Sequence, residues 1–226
     1  LDFCRANGVV FLVARCPAAD IQAVQVMERT GFLLMDTLLY YTRALNGMPS
    51  PPTPLLAHQG EGRQAAEDFS GTVMVRPAQP DEAEAVRDLA ARAFAGYGGH
   101  YHADERLERA ACDAVYADWA YRSCVSRELA DKVLVATLHE QPIGFITLRL
   151  RGEESDGPLY GVDPAAQGQG VGGALMAAAL AWSQARGARR MVMSTQVTNV
   201  PSQKVWTRLG FEPSHAEYTL HKWFDR

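Results

Sequence analysis

Gly157-Pro158-Leu159-Tyr160-Gly161-Val162-Asp163-Pro164-Ala165-Ala166-Gln167-Gly168-Gln169-Gly170-Val171-Gly172-Gly173 carries the strongest structural signal in the chain. An apolar run fit for a strand lies before it. After it, the Ala/Leu-rich run from Ala174 to Arg186 reads as a helix that stops at Gly187. Glycines at 168, 170, 172 and 173 sit between the two. Lacking side chains, they let backbone N–H groups approach an anion closely at a helix N-terminus, so the loop reads as a diphosphate cradle.

The neighbouring residues narrow the ligand. A nucleoside-triphosphate loop follows its glycines with Lys and then Ser or Thr, but Gly173 is followed by Ala174 and Leu175. Gly168, Gly170 and Gly173 satisfy Gly-x-Gly-x-x-Gly, yet a dinucleotide fold also wants an acidic residue about 20 positions on. No Asp or Glu occurs from Pro164 to Phe211, whereas Arg186, Arg189, Arg190, Lys204 and Arg208 do. That charge favours a ligand rich in phosphate. The pattern left is Gln-x-x-Gly-x-Gly, filled by Gln167, Gly170 and Gly172.

With this loop the sequence resembles the GNAT superfamily of acyl-CoA-dependent N-acetyltransferases, whose signature is Gln/Arg-x-x-Gly-x-Gly/Ala between a strand and a helix. A second block, Asn199 to Phe211, is similar to the family's Asn-x-x-Ala-x-x-x-Tyr-x-x-x-Gly-Phe helix, with Ser202 for the usual Ala and Trp206 for the usual Tyr. The resemblance implies an α/β (α+β) fold, a mixed central sheet flanked by helices, and acetyl-CoA as cosubstrate. It implies that the backbone of Tyr160, Gly161 and Val162 meets the pantetheine arm. The amides of Gln167, Gly168, Gln169, Gly170, Val171 and Gly172 would hold the diphosphate, and Asn199 would bond the pantetheine, cap its own helix, or do both.

Trp206 occupies the place where the family commonly has a tyrosine proposed to protonate the leaving thiolate. An indole N–H is a neutral donor and no acid, so simple core packing is an equal alternative. A free thiol has a pKa of about 8.5, which already makes thiolate a tolerable leaving group. The chemistry is therefore expected to be slower, or served by another acid such as Tyr218 or Tyr160.

The acceptor side is read from Gly98-Gly99-His100-Tyr101-His102-Ala103-Asp104. These residues, with Tyr97, could bind a hydroxylated ligand and take a proton from its amine. Solvated histidines and Asp104 as a helix cap are the plain alternative. The loop is similar to the Arg-Phe-His-x-Asp-Pro pattern of TDP-amino-sugar N-acetyltransferases, retaining His102 and Asp104, while His100, Tyr101 and Glu105 replace Arg, Phe and Pro. The resemblance implies His102 or an ordered water as base, His100, Tyr101 and Asp104 as acceptor contacts, and a nucleotide-linked amino sugar as acceptor. Another small amine, or a non-catalytic acyl-CoA sensor, remains the alternative.

The rest of the 226 residues fits an ordinary globular protein: 47% are apolar and the formal charge is −4, which gives no electrostatic footprint for nucleic acid. The four cysteines at 4, 16, 112 and 124 match no metal spacing, and neither a signal peptide nor a membrane span is visible, so free thiols and a cytoplasmic location are expected. Pairing into a homodimer is left open. The chain opens at Leu1 in what reads as a helix tail ending at Gly8, which suggests a missing upstream portion.

Three segments are expected. Residues 1–45 read as strand, helix and strand, and a shift of 179 positions lays Gly31-Phe32 on Gly210-Phe211, Asp20 on Asn199 and Ala23 on Ser202. This is the pattern of a degenerate half-copy of the acyltransferase fold that lost its cofactor loop. Residues 46–71, rich in Pro and Gly, read as a linker. Residues 72–226 form the main domain, with helices expected over Asp81–Phe94 and Asp104–Ser126.

Overall fold

The computed structural model describes residues 1–46 and 72–224. The linker expected over 46–71 lies, but for Asn46, outside the described residues. A short helix α1 (Asp2–Ala6) leads into β1 (Phe11–Pro17), α2 (Ile21–Arg29) and β2 (Leu33–Ala44). There follow β3 (Met74–Pro77), α3 (Ala83–Ala93), α4 (Arg109–Val125), β4 (Lys132–Leu138), β5 (Gln141–Arg151), β6 (Glu154–Asp156) and β7 (Tyr160–Val162). Helix α5 (Val171–Ala185), β8 (Arg190–Gln196), α6 (Val200–Arg208) and β9 (Glu212–Trp223) complete the order.

Among the described residues, nine strands form one mixed sheet in the order β1-β9-β2-β8-β6-β5-β4-β3, with β7 beside β5. Strand alternation sends Leu134, Ala136, Ile146 and Leu148 to one face, where they pack against Leu175, Met176 and Ala179 of α5. The opposite face gives Val135, Phe145 and Leu159 to Val86, Leu89 and Ala90 of α3 and Tyr116 and Ala120 of α4. Helix α4 starts at Arg109, later than the sequence suggests, because the Glu108 side chain accepts the amides of Ala110 and Ala111. Asp104 is therefore not a helix cap.

The first and last strand-helix-strand units obey one geometric rule. A shift of 179 residues carries β1 onto β8, α2 onto α6 and β2 onto β9, end for end. The ladders follow: Phe11 opposite Trp223 becomes Arg190 opposite Ala44. In the antiparallel β2–β9 ladder the pair Leu38–Glu217 maps onto itself. The units are thus related by a two-fold axis through that pair, and each lends a strand to the other. Their helix caps match as well, Asp20 accepting the Ala23 amide and Asn199 the Ser202 amide.

Candidate active site

The sheet opens between β7 and β8. β6 pairs with β8 in parallel as far as Asp156 opposite Val192. Beyond that point, among the described residues, β7 pairs with β5 and the rest of β8 pairs with β2. Thr147 of β5 causes the divergence. Its amide and hydroxyl donate to the Leu159 carbonyl at 2.8 and 3.3 Å, and its hydroxyl accepts the Leu159 amide at 3.0 Å, drawing the chain toward β5.

A cleft of about 840 Å³ fills the opening. Tyr160, Gly161, Val162, Gln167, Gly168, Gly170, Val171, Gly172 and Asn199 all line it. Gly170 has φ +80°, a left-handed turn that sets the start of α5, and no side chain caps the helix. The Ala174 amide bonds the Gly170 carbonyl at 3.0 Å, as the first full helical turn requires. The amides ahead of it are the ones a helix leaves for an outside acceptor. Gly172 is required for another reason: a Cβ there would collide with the Tyr160 hydroxyl, which lies against the turn. Among the described residues, Arg208 is the one charged side chain in the lining. Uncapped amides, one cation and no acid fit a diphosphate.

Across the mouth, the face of the sheet that looks away from α2 and α6 is polar. Arg15, Thr219 and Asp36 lie in one row over β1, β9 and β2, with Glu217 and Gln196 in the next. A bulge at Met35 puts Asp36 there: Leu34 pairs with Leu220, but Asp36 pairs with Thr219 and so turns to the other face. The Asp36 Oδ1 accepts the Thr37 amide at 2.6 Å, while Oδ2 is buried without a hydrogen-bond partner. The Gln196 side chain accepts from the Tyr97 hydroxyl, and both residues line the cleft. Burial raises the Tyr97 hydroxyl to about 12.

The α3–α4 loop covers this face through a buried relay. Asp104 Oδ2 sits 2.8 Å from His221 Nδ1, and His221 Nε2 sits 2.8 Å from His100 Nδ1. The Trp223 indole donates to the same carboxylate at 2.9 Å, and the Arg106 amide donates to its Oδ1 at 3.0 Å. Burial opposes ionisation of Asp104, but these hydrogen bonds outweigh it and hold the carboxyl below its ordinary value. An ionised Asp104 accepts a hydrogen bond from the His221 Nδ1–H, so His221 Nε2 accepts from His100 and leaves the His100 lone pair on Nε2. Burial first, then His221, Arg15 and His102, lower His100 to about 4.

The model of the Acetyltransferase (GNAT) family matches residues 83–211, from the start of α3 through the turn after α6. The chain belongs to the GNAT acetyltransferase family. Its similarity to the spore coat polysaccharide biosynthesis protein SpsD of Bacillus subtilis is 24% identity over 94% of this chain and 66% of that protein. To a mycothiol acetyltransferase of Actinosynnema mirum it is 33% identical over 91% of this chain and 57% of that protein. The chain thus spans less than two thirds of the length of these curated relatives. A GCN5-related N-acetyltransferase from Sphaerobacter thermophilus shares the fold at TM-score 0.65 and 16% identity, covering 94% of this chain and 59% of that one.

Within this GNAT domain the expected site residues part company. Gln167, exposed, and Gln169, half-buried, bond back to the Val162 and Ala165 carbonyls, and Gln169 does not line the cleft. Asn199 both lines the cleft and caps α6, its amide donating to Thr195 at 2.9 Å. Trp206 is 2% exposed, packed in the core with its indole N–H unpartnered, and is not in the lining. Tyr218 packs with Cys16 and Phe32 under α2, on the far face of the sheet. His102 is tied to Asp113 at 2.9 Å with its other ring nitrogen buried and unpartnered. His100 and Asp104 meet through His221, and the Tyr101 ring lies against that of His100, tilted by 39° with centroids 3.9 Å apart. Sequence reasoning missed His221, Asp36 and Gln196. His221 and Asp36 come from strands whose register only the fold reveals, and Gln196 becomes visible once β8 is set beside β2.

Proposed function

We propose that this chain transfers the acetyl group of acetyl-CoA to a primary amine on a small acceptor, a nucleotide-linked amino sugar. The observation that carries the reading is the opening between β7 and β8, with the uncapped start of α5 at its edge. There the amides of residues 170–173 and Arg208 would hold the diphosphate, and Asn199 with the β7 backbone the pantetheine. Bound this way, acetyl-CoA supplies an activated acyl carbon facing the polar side of the sheet. Tyr97, still protonated at neutral pH, stands at the cleft as the donor for a departing sulfur, a role its place in the lining supports better than Trp206 or Tyr218.

The sugar acceptor is supported by the similarity to a polysaccharide biosynthesis protein over nearly the whole chain. Neutral hydrogen-bonding groups on the acceptor face, Tyr97, His100, Tyr101, Tyr116 and Gln196, suit a hydroxylated ring. The mycothiol acetyltransferase similarity makes other amines the alternative.

Thiol release from acetyl-CoA with a panel of amines tests this. Turnover with an amino-sugar nucleotide is expected. Turnover of another amine and of no amino-sugar nucleotide removes the sugar. In the same preparation, acetyl-CoA at 100 times its dissociation constant stabilises the fold by about 2.7 kcal/mol; its failure to do so removes the transferase reading altogether.

A further inference from the structure

We propose that Asp36, supplied by the N-terminal strand-helix-strand unit, is the carboxylate that receives the acceptor's ammonium group and takes its proton. The inference rests on the acetyltransferase reading and deepens it. It turns the first 45 residues from a packing relic into part of the reaction centre.

Four observations converge on this residue. The bulge at Met35 spends a ladder position to aim Asp36 at the polar face. Its Oδ2 is buried without a partner, an arrangement that costs stability unless a ligand donor satisfies it. Its neighbours Tyr97 and Gln196 both line the cleft, so the carboxyl stands directly behind that wall. Thr219, its cross-strand partner, also has a buried hydroxyl without a partner, so one oxygen on each of two paired residues is left unsatisfied on the same face of the sheet.

The competing bases are less suited. His102 is engaged by Asp113 at 2.9 Å. His100 Nδ1 is engaged by His221 Nε2 at 2.8 Å, and the Tyr101 ring lies against its own at a centroid distance of 3.9 Å. Burial raises Asp36 above an ordinary carboxyl although the Thr37 amide, the Gln196 side chain and Arg15 pull the other way. A raised carboxyl is a stronger base once ionised.

The step balances as follows. One proton passes from the ammonium to Asp36 and on to solvent. The freed nitrogen pair forms the C–N bond to the acetyl carbon, and the C–S bond breaks with its electrons on sulfur. The nitrogen's second proton replaces the one that the Tyr97 hydroxyl gives to that sulfur.

The test compares wild type, Asp36→Asn and Asp36→Glu on the amine of the panel with the highest kcat/KM, alongside calorimetric titration of acetyl-CoA. Asp36→Asn is expected to lower kcat/KM by about 10²–10⁴-fold with acetyl-CoA affinity unchanged. Asp36→Glu should restore part of the rate and keep the acidic limb of the pH profile that Asp36→Asn loses. Asp36→Asn activity within threefold of wild type, with acetyl-CoA still bound, overturns the role of Asp36 and leaves the transferase reading standing. Loss of acetyl-CoA binding by wild type would instead sink that reading.

Discussion

The indole of Trp206 meets the ring of Tyr41 edge-on with centroids 5.6 Å apart, inside the core that α6 makes with the sheet. The position for which the sequence resemblance implied a thiolate-facing tyrosine holds a packing residue here. Trp206→Tyr therefore should not restore a missing acid. Turnover is expected to stay within about twofold, while the smaller ring costs roughly 1–3 kcal/mol of stability. Thiol release and a denaturant titration check both, and a large gain in turnover would return the position to the chemistry.

Asp20 and Asn199 are equivalent helix caps, but only Asn199 lines the cleft. Asp20→Ala and Asn199→Ala should each cost about 1 kcal/mol of stability. Only Asn199→Ala should also raise KM for acetyl-CoA, by several-fold. Equal kinetic effects from the two would deny the cap its second role.

His100 titrates near 4 in the fold against 6.5 when unfolded, because it is buried and faces His221, Arg15 and His102. Between those values the unfolded chain binds the proton that the native one refuses, so stability rises with pH across the window and is lost as pH falls through it. His100→Gln should flatten the pH dependence of the melting midpoint between 6.5 and 4. An unchanged slope would show that the relay does not hold His100 neutral.

The cleft around the glycine loop was legible because glycine spacing and the missing acids are local facts: of the residues expected there, Tyr160, Gly161, Val162, Gln167, Gly168, Gly170, Val171 and Gly172 line it, and Gln169 does not. The 179-residue shift was also legible, since Gly31-Phe32 and Gly210-Phe211 end their helices the same way. The acceptor side was legible only in part. His100 and Asp104 appear in one loop, but the His221 that joins them lies 117 residues beyond Asp104 on the last strand. Asp36 was hidden by the Met35 bulge, which breaks the simple alternation by which a strand's faces are read. Tyr218 looked available because sequence does not say which face of β9 meets α2.

The central claim is that the backbone at the start of α5 binds the diphosphate of acetyl-CoA. Amide chemical shifts recorded during an acetyl-CoA titration test it most directly, with Gly172→Ala as control. The account predicts that the largest shifts fall on the amides of residues 168–173, and that the alanine methyl group, driven into the Tyr160 hydroxyl, weakens binding at least tenfold. Saturable binding that leaves those amides unmoved, or an alanine variant that binds as tightly as wild type, would contradict it.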